Sequence, residues 1–157
     1  MEFVLIAVGR TRMKFVEQGI TEYRTRLQRY TPFSIVELPD VKDTKSLTED
    51  LQKVKEGEAI LQRILPSDFV ILLDERGRDL SSVEYAAYLQ KIMASGRKRT
   101  IFVIGGPYGF SKQVYDRADA KISLSRMTFN HEMVRMFFVE QLYRAMTILR
   151  HEPYHHE

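Results

Sequence analysis

The chain contains no cysteine, and none of its apolar runs is long enough to cross a membrane. Without cysteine the protein can form no disulfide, no thiolate nucleophile and no cysteine-based metal site. The longest apolar run near the N-terminus, Phe3 to Val8, follows Glu2 instead of basic residues and is too short for a signal peptide or a membrane span. We therefore expect a cytoplasmic protein that does not enter the membrane.

Length and composition predict one folded domain. At 157 residues, with 44% hydrophobic and 29% charged residues, the chain can bury a core and is not expected to be disordered. The net charge is only +3, but many basic residues are grouped. These groups are Arg10, Arg12 and Lys14; Arg24, Arg26 and Arg29; Arg97, Lys98 and Arg99; and Arg126, Arg135, Arg144 and Arg150. Such grouping is typical of a site for a polyanion, RNA in preference to DNA, although solvated helix faces give the same pattern.

Hydrophobic periodicity and turn residues predict strands that alternate with helices. We expect strands at about 2–8, 33–38, 69–73, 100–104 and 120–124, and helices at about 13–29, 48–64, 82–94, 111–117 and 131–150. Asp74 to Arg78 is expected to form a turn, after which Ser81 or Ser82 caps the third helix. Strands separated by helices need crossover connections. The fold class is therefore α/β, a single domain built on a parallel sheet with helices on both faces.

The most informative segment is a strand that leads directly into a glycine-rich turn, Ile101 to Gly109. Three glycines within five residues, Gly105, Gly106 and Gly109, suit a backbone that bends sharply or approaches a ligand closely. Open α/β sheets bind ligands at strand ends of this kind. The segment fits neither G-x-x-x-x-G-K-[ST] nor G-x-G-x-x-G, so its residues do not identify the ligand by themselves.

Three further segments are candidates for chemistry: Leu72 to Glu75 at the exit of strand three, Leu124 to Phe129 before the last helix, and the tail Glu152 to Glu157. Each also has a plain structural interpretation, as a turn, a capping region and a frayed terminus. The first two, like the glycine-rich turn, follow strands whose carboxyl ends would lie at one edge of a parallel sheet. We expect them to line a single cleft.

In combination, these motifs resemble the ribosomal large subunit methyltransferase H family over essentially the whole chain. The matching residues are Ala7-Val8-Gly9, Glu22-Tyr23, Gly105-Gly106-x-x-Gly109, Leu124-Ser125-x-Met127-Thr128-Phe129, His131, Arg135, Glu140, Leu142 to Ala145, and Pro153-Tyr154-His155. The resemblance implies a SPOUT-class α/β fold whose C-terminal part, about residues 70–157, forms a trefoil knot, an exception to the rule that chains are unknotted. It also implies a homodimer that uses S-adenosylmethionine, without a metal, to methylate N3 of a pseudouridine in 23S rRNA of the assembled ribosome.

The same resemblance assigns the cofactor to the expected cleft. The implied cofactor-binding residues are Leu73, Gly105, Leu124, Ser125, Arg126, Met127, Thr128 and Phe129. A Rossmann-type methyltransferase would instead carry its glycine-rich turn after strand one, where Gly9 stands alone.

Candidates for the reaction itself lie on the last helix and in the tail. The candidate catalytic residues are Arg135, Glu140, Arg144, Tyr154 and His155, and the candidate RNA-binding residues are His131, Arg135, Tyr154, His155 and His156. Glu140 and Arg144 stand at i and i+4 and are also compatible with an ordinary helix ion pair. His131 and Arg135 are one turn apart and are expected to point the same way. By resemblance, the tail of one subunit completes the site of the other.

A metal site made of His151, His155 and His156 is disfavoured, because adjacent side chains of an extended tail point to opposite sides. Two residues depart from the family's pattern. Asn130 replaces a proline but is itself a good helix cap. His156 replaces a basic residue, which we expect to weaken the contact of the tail with phosphate.

The last helix also offers a surface for a second subunit. Its apolar residues recur at helical spacing over a wide face, and they are Val134, Phe137, Phe138, Leu142, Ala145, Ile148 and Leu149. Two alternative functions stay open: a SPOUT methyltransferase that acts on tRNA or another rRNA site, and an RNA-binding module without enzymatic activity.

Overall fold

Five strands and five helices alternate along the chain in the computed structural model, which describes residues 1–157. The strands are β1 (Glu2–Val8), β2 (Phe33–Leu38), β3 (Phe69–Asp79), β4 (Arg99–Ile104) and β5 (Ala120–Ser123). The helices are α1 (Lys14–Leu27), α2 (Glu49–Leu61), α3 (Ser82–Ala94), α4 (Lys112–Arg117) and α5 (Met133–Leu149), with a short 3-10 helix at Thr44–Ser46. None of the helices combines the length and the apolar character needed to span a bilayer.

All five strands run parallel in one sheet, in the order β2-β1-β4-β3-β5. The predicted α/β class with a parallel sheet is therefore confirmed. Since parallel strands all point the same way, the exits of β1, β4 and β3 meet at one edge of the sheet. The glycine-rich turn after β4 lies in the middle of this edge, between the neighbouring exits.

The sheet is buried on both faces, because side chains of its central strands alternate between two hydrophobic clusters. In β1, Phe3, Leu5 and Ala7 join the larger cluster, which also contains apolar residues of α1, α3 and α5. Val4, Ile6 and Val8 join the smaller cluster with residues of α2 and α4. The helices that follow β1 and β3 therefore pack on one face of the sheet, and the helix that follows β4, which lies between them, packs on the other. Crevices that bind ligands form at such points in open α/β sheets.

The prediction of a simple turn at 74–78 is wrong, because β3 continues past it. Pairing with β5 breaks after Leu73 and resumes where Arg78 faces Ile122. The stretch Leu73 to Arg76, which lies at the carboxyl edge of the sheet, is called the exit of β3 below. Gly77 lies so close to this partner strand that an added Cβ would be 2.6 Å from the backbone nitrogen of Ile122. Hydrophobic periodicity gives no sign of this second segment, because its residues are polar and its pairing is made by backbone groups.

The starts of two helices follow their predicted capping chemistry. Ser81 caps α3, and its side chain and that of Glu84 form a reciprocal capping box. Before α5, the Asn130 side-chain oxygen accepts hydrogen bonds from the backbone N–H groups of Glu132 (2.9 Å) and Met133 (3.2 Å). Asn130 therefore does cap this segment. Helix α5 itself begins at Met133, two residues later than predicted.

Candidate functional site

A cleft of about 560 Å³ opens at the carboxyl edge of the sheet, where β3, β4 and β5 end. Its volume lies within the range of roughly 300–1,000 Å³ that is usual for small-molecule sites. The walls are the exit of β3 (Leu73 to Arg76), the end of β4 with the glycine-rich turn (Ile104 to Phe110), and the loop after β5 (Ser123 to Ser125 and Met127 to Phe129); Lys53, Tyr115, His131 and Val134 complete the lining. The three segments that the sequence assigned to one cleft are brought together.

The glycine-rich turn forms one wall with much of its backbone accessible. The N–H of Gly109 donates to the Gly106 carbonyl at 3.2 Å, which closes a β-turn with Pro107 at its first central position. Gly109 follows with a φ of +86°, a conformation that favours glycine. The N–H of Gly105 has no hydrogen-bond partner within the protein, so it is free to donate to a ligand. Gly106 pairs with Gly109 across the turn as an isolated antiparallel bridge.

Polar contacts hold the other two walls against one another. The Thr128 hydroxyl donates to the Glu75 carboxylate at 3.2 Å, which joins the loop after β5 to the exit of β3. Asp74 accepts from the Tyr115 hydroxyl at 2.5 Å. Partial burial and this hydrogen bond raise the pKa of Tyr115 to about 12, so the phenol stays a donor at neutral pH. Within the loop, the Ser125 hydroxyl accepts from the N–H of Met127.

Seven of the eight residues predicted to bind a cofactor line this cleft, and Arg126 does not. The Arg126 side chain is 87% exposed and its nearest acid is Asp79, at 3.8 Å. It points outward because Met127 and Ser125, on either side of it, take the positions facing the cleft. Lys53 and Tyr115 line the cleft without having been predicted. Lys53 gave no signal because it comes from α2, a polar helix far away in the sequence.

The tail folds back on α5 and forms a cluster with it, here called the tail cluster. Its members are Glu140, Arg144, Tyr154 and His155. Arg144 donates to Glu140 at 2.5 Å, and the Tyr154 hydroxyl donates to the same carboxylate oxygen at 3.0 Å. The Arg144 guanidinium also lies 4.8 Å from the centre of the Tyr154 ring. The tail is therefore an ordered part of this protomer and not a frayed end.

Hydrogen bonding defines the protonation of the tail cluster. Arg144 contacts Nδ1 of His155 at 3.1 Å, and because arginine can only donate, Nδ1 accepts and a neutral His155 carries its proton on Nε2. That Nε2 atom is buried without a hydrogen-bond partner. Burial and the hydrogen bonds with Tyr23 and Glu140 raise the pKa of Tyr154 well above its ordinary value. Tyr154 is therefore neutral, and the Nε2 atom of His155 has only the exposed Glu157 carboxylate near it, at 3.4 Å.

Within one protomer the tail cluster does not reach the cleft. Val134, at the first turn of α5, lines the cleft, whereas Arg144 lies ten residues further along the same helix. A rise of 1.5 Å per residue separates them by about 15 Å. The predicted cofactor residues and the predicted catalytic residues thus occupy two separate places in a single chain.

Arg135 is not where the sequence predicted it. Its side chain is only 1% exposed, and its guanidinium donates to the carbonyls of Val8 and Gly9, each at 2.8 Å, and to the Thr11 hydroxyl. His131 is exposed and lines the cleft. The two side chains diverge because His131 precedes the start of α5, so helical spacing does not relate them. In this position Arg135 holds the end of β1, and its predicted contact with RNA stays a prediction. His156 is exposed.

Glu132 has a structural role that the sequence did not indicate. It is buried, and one of its carboxylate oxygens accepts from the backbone N–H groups of Arg12 (2.5 Å) and Met13 (2.9 Å) at the start of α1. The bond from Met13, followed by that from Arg12, holds the pKa of the Glu132 carboxyl below its ordinary value. Glu132 and Arg135 together fix the loop between β1 and α1 to the start of α5.

The role of Glu132 predicts a pH-dependent effect of Glu132→Gln. A carboxyl with a lowered folded-state pKa contributes stability above its unfolded pKa of about 4.3, and loses it as the pH falls through the folded value. We expect the variant to be less stable than the native protein by on the order of 1 kcal/mol at pH 7. This difference should shrink toward zero below about pH 4. Urea unfolding at several pH values measures it.

Glu17→Gln is the matched control, because Glu17 is an exposed acid in the first turn of α1, the helix whose start Glu132 contacts. It should change stability little at any pH. An equal loss for Glu132→Gln at pH 7 and pH 3.5 would show that the charge of Glu132 is not what stabilises this contact.

Comparison with known proteins gives matches over the full length of the chain. A family model described as "Predicted SPOUT methyltransferase" matches residues 1–155. A protein of Christiangramia forsetii named ribosomal RNA large subunit methyltransferase H is 58% identical over 156 residues, which are 99% of each chain. Proteins of the same name from Porphyromonas gingivalis and Parabacteroides distasonis are 54% and 51% identical over 157 residues, all of both chains. The similarity therefore includes the cleft, α5 and the tail.

Proposed function

The chain belongs to the ribosomal RNA large subunit methyltransferase H family of SPOUT methyltransferases, and from this premise we propose that it transfers a methyl group from S-adenosylmethionine to N3 of a pseudouridine in 23S rRNA of the assembled ribosome. The observation that carries the proposal is the cleft at the carboxyl edge of the sheet, with the unpaired backbone N–H of Gly105 in its wall. Assembled ribosomes as the substrate imply that the protein acts in the cytoplasm.

The residues of the cleft fit S-adenosylmethionine. Apolar contact is offered by Leu73, Leu124, Met127 and Phe129, while the N–H of Gly105 can donate to a polar atom of the cofactor. The acids Asp74 and Glu75 and the cation Lys53 can face its groups of opposite charge. When bound, the cofactor would supply the methyl group from its sulfonium sulfur, and the rest of the cofactor would leave as a neutral thioether. The protein's own task is then mainly to orient the acceptor base.

The tail cluster has the groups that the acceptor base needs. N3 of pseudouridine carries a proton that must leave before or during attack, so a nearby cation favours the anionic imide that forms. We assign this role to Arg144, which Glu140 holds in place through their hydrogen bond. Tyr154 is available to stack on or hydrogen-bond to the RNA, and His155 to donate from Nε2. His131 and His156 are exposed to reach the RNA backbone.

The separation of the tail cluster from the cleft supports a homodimer with composite sites. If the tail of one protomer lies at the cleft of its partner, the cofactor and the acceptor base can meet without rearrangement of either chain. Phe138, Leu142 and Ala145 of the expected dimer face are core residues in the protomer. Val134, Phe137, Ile148 and Leu149 are only partly buried, and they leave apolar area for a partner.

We also infer the trefoil knot of the SPOUT class in the C-terminal part, about residues 70–157. The close approach of Gly77 to the backbone of Ile122 supports it, because the second segment of β3 continues beside β5 instead of turning away at residue 74. Such a continuation has no role in an ordinary βαβ connection.

Transfer of labelled methyl from S-adenosylmethionine to ribosomes that lack the modification tests the proposed function. We expect methyl incorporation that maps to N3 of the 23S rRNA pseudouridine, and none into free 23S rRNA or bare tRNA. Methylation of tRNA, or of another rRNA position, would retain the enzyme class and reject the target. Absence of cofactor binding in calorimetry, with RNA binding intact, would indicate an RNA-binding module instead.

A further inference from the structure

Glu56 is a buried acid without an ionic partner. It lies on α2, only 4% of its surface is exposed, and its closest polar contact is the Gln52 amide, 3.4 Å from Oε2. Oε1 is buried with no hydrogen-bond partner at all. Burial raises the pKa of this carboxyl above its ordinary value. An unsatisfied buried carboxyl costs free energy, so the stability of the fold does not explain why this side chain is buried here.

The carboxyl group of Glu56 lies against the glycine-rich turn of the cleft. A Cβ added at Gly106 would approach both carboxyl oxygens more closely than 3.0 Å, a separation that real Cβ atoms essentially never show. Gly106 has no positive φ, unlike Gly109, so backbone conformation does not require a glycine at this position. The space that a side chain would need at residue 106 is instead filled by Glu56.

We propose that Glu56 is a positioning residue of the cofactor site, whose carboxyl group packs beneath Gly106 and holds the glycine-rich turn in the form that binds S-adenosylmethionine. This inference rests on the proposed function. Glu56 does not line the cleft, so it acts through the turn and not by contact with the cofactor. The N–H of Gly105 lies on the supported segment, and its direction determines whether it can donate to a ligand.

Four variants separate this role from a general effect on folding. Glu56→Gln keeps the shape of the side chain, whereas Glu56→Asp withdraws the carboxyl group by one methylene. Gly106→Ala introduces the Cβ that meets Glu56, and the double variant Glu56→Asp with Gly106→Ala gives that Cβ room. Glu58→Ala is the control, because Glu58 is an exposed acid two residues along the same helix.

We expect Glu56→Asp and Gly106→Ala each to weaken S-adenosylmethionine binding by about tenfold, measured by calorimetry and as KM, with kcat within about threefold of native. Glu56→Gln and Glu58→Ala should bind nearly as the native protein does. The double variant should bind more tightly than Gly106→Ala alone, because the two changes share one contact. Thermal unfolding of every variant identifies any loss of folded protein.

The binding results distinguish a failure of the proposed function from a failure of the role of Glu56. A native protein that does not bind S-adenosylmethionine overturns the proposed function. A native protein that binds it, together with an equally tight Glu56→Asp variant or a double variant no better than Gly106→Ala, overturns the role of Glu56. Weak binding by Glu56→Gln with normal binding by Glu56→Asp also overturns it, because charge and not packing would then be responsible.

Discussion

A protein that ends at Pro153 is expected to bind S-adenosylmethionine as the full chain does, and to methylate ribosomes at least about 100-fold more slowly. The expectation follows from the separation of the two candidate sites. Every predicted cofactor residue lies before residue 130, and none of the cleft-lining residues belongs to the tail. Removal of Tyr154 and His155 therefore leaves the cleft intact and removes half of the tail cluster.

The truncation affects Arg144 as well as the residues it deletes. Arg144 now contacts Nδ1 of His155 and lies over the ring of Tyr154, while Glu140 accepts from both Arg144 and Tyr154. Without the tail, three of these four contacts are lost, two of them made by Arg144 itself, and the guanidinium is free to adopt other rotamers. Because a cation stabilises a developing anion only when it is held in position, the rate should fall more than ground-state RNA binding does.

Point variants distinguish the chemistry of the tail from its bulk. Tyr154→Phe keeps the ring over Arg144 and loses only the hydroxyl, so we expect a smaller loss of kcat than from truncation. His151→Asn is the matched control, because His151 is an exposed residue next to the tail, has no proposed role, and has a positive φ that asparagine tolerates. Single-turnover methyl transfer with saturating cofactor measures each rate. Full activity in the truncated protein would contradict any catalytic role of the tail.

Mixing two inactive variants tests whether the tail acts across the dimer. One variant lacks residues 154–157 and has an intact cleft, and the other has an intact tail and a Gly105→Trp block in the cleft. Random exchange of subunits gives mixed dimers for half of the molecules, each with one complete composite site, so about a quarter of native activity should return. No recovery despite subunit exchange would mean that tail and cleft act within one protomer.

The sequence predicted the elements well because their signals are local. Strands such as Phe3 to Val8 are continuous apolar runs, and Ser81 with Glu84 carries its capping chemistry within four residues. The carboxyl ends of parallel strands then had to meet, which is why Leu73, Gly105 and Leu124 were placed in one cleft correctly.

The features that the sequence did not indicate depend on contacts between distant parts of the chain. The second segment of β3 pairs with β5 through backbone groups, and Lys53 reaches the cleft from a helix on another part of the chain. Glu132 is an acid with no local pattern, and it serves the start of α1, 119 residues away in the sequence. Arg135 looked like an RNA contact because charged residues are usually exposed, and only the structure gives it buried partners.

Arg135→Met is expected to reduce the free energy of unfolding by about 3 kcal/mol, because it leaves two buried carbonyl groups without donors. Arg135 donates to the Val8 and Gly9 carbonyls, and no other side chain donates to either. Methionine has similar length and is apolar, so the loss reports the hydrogen bonds more than a cavity. Arg135→Lys should recover only part of the stability, since one ammonium group does not reproduce the planar fork of the guanidinium.

Arg126→Met is the control for Arg135→Met, because it makes the same substitution at an exposed position beside the cleft. The pair of variants tests whether Arg135 serves the fold or contacts RNA. Its side chain is 87% exposed, so we expect a change in stability within about 0.5 kcal/mol. Urea unfolding of both variants, with methyl transfer measured well below the transition, separates fold from function. If Arg135→Met is as stable as the native protein yet loses methylation, Arg135 must leave its buried position to contact RNA. If stability falls and the residual folded protein methylates normally, Arg135 holds the end of β1 and its charge serves the fold alone.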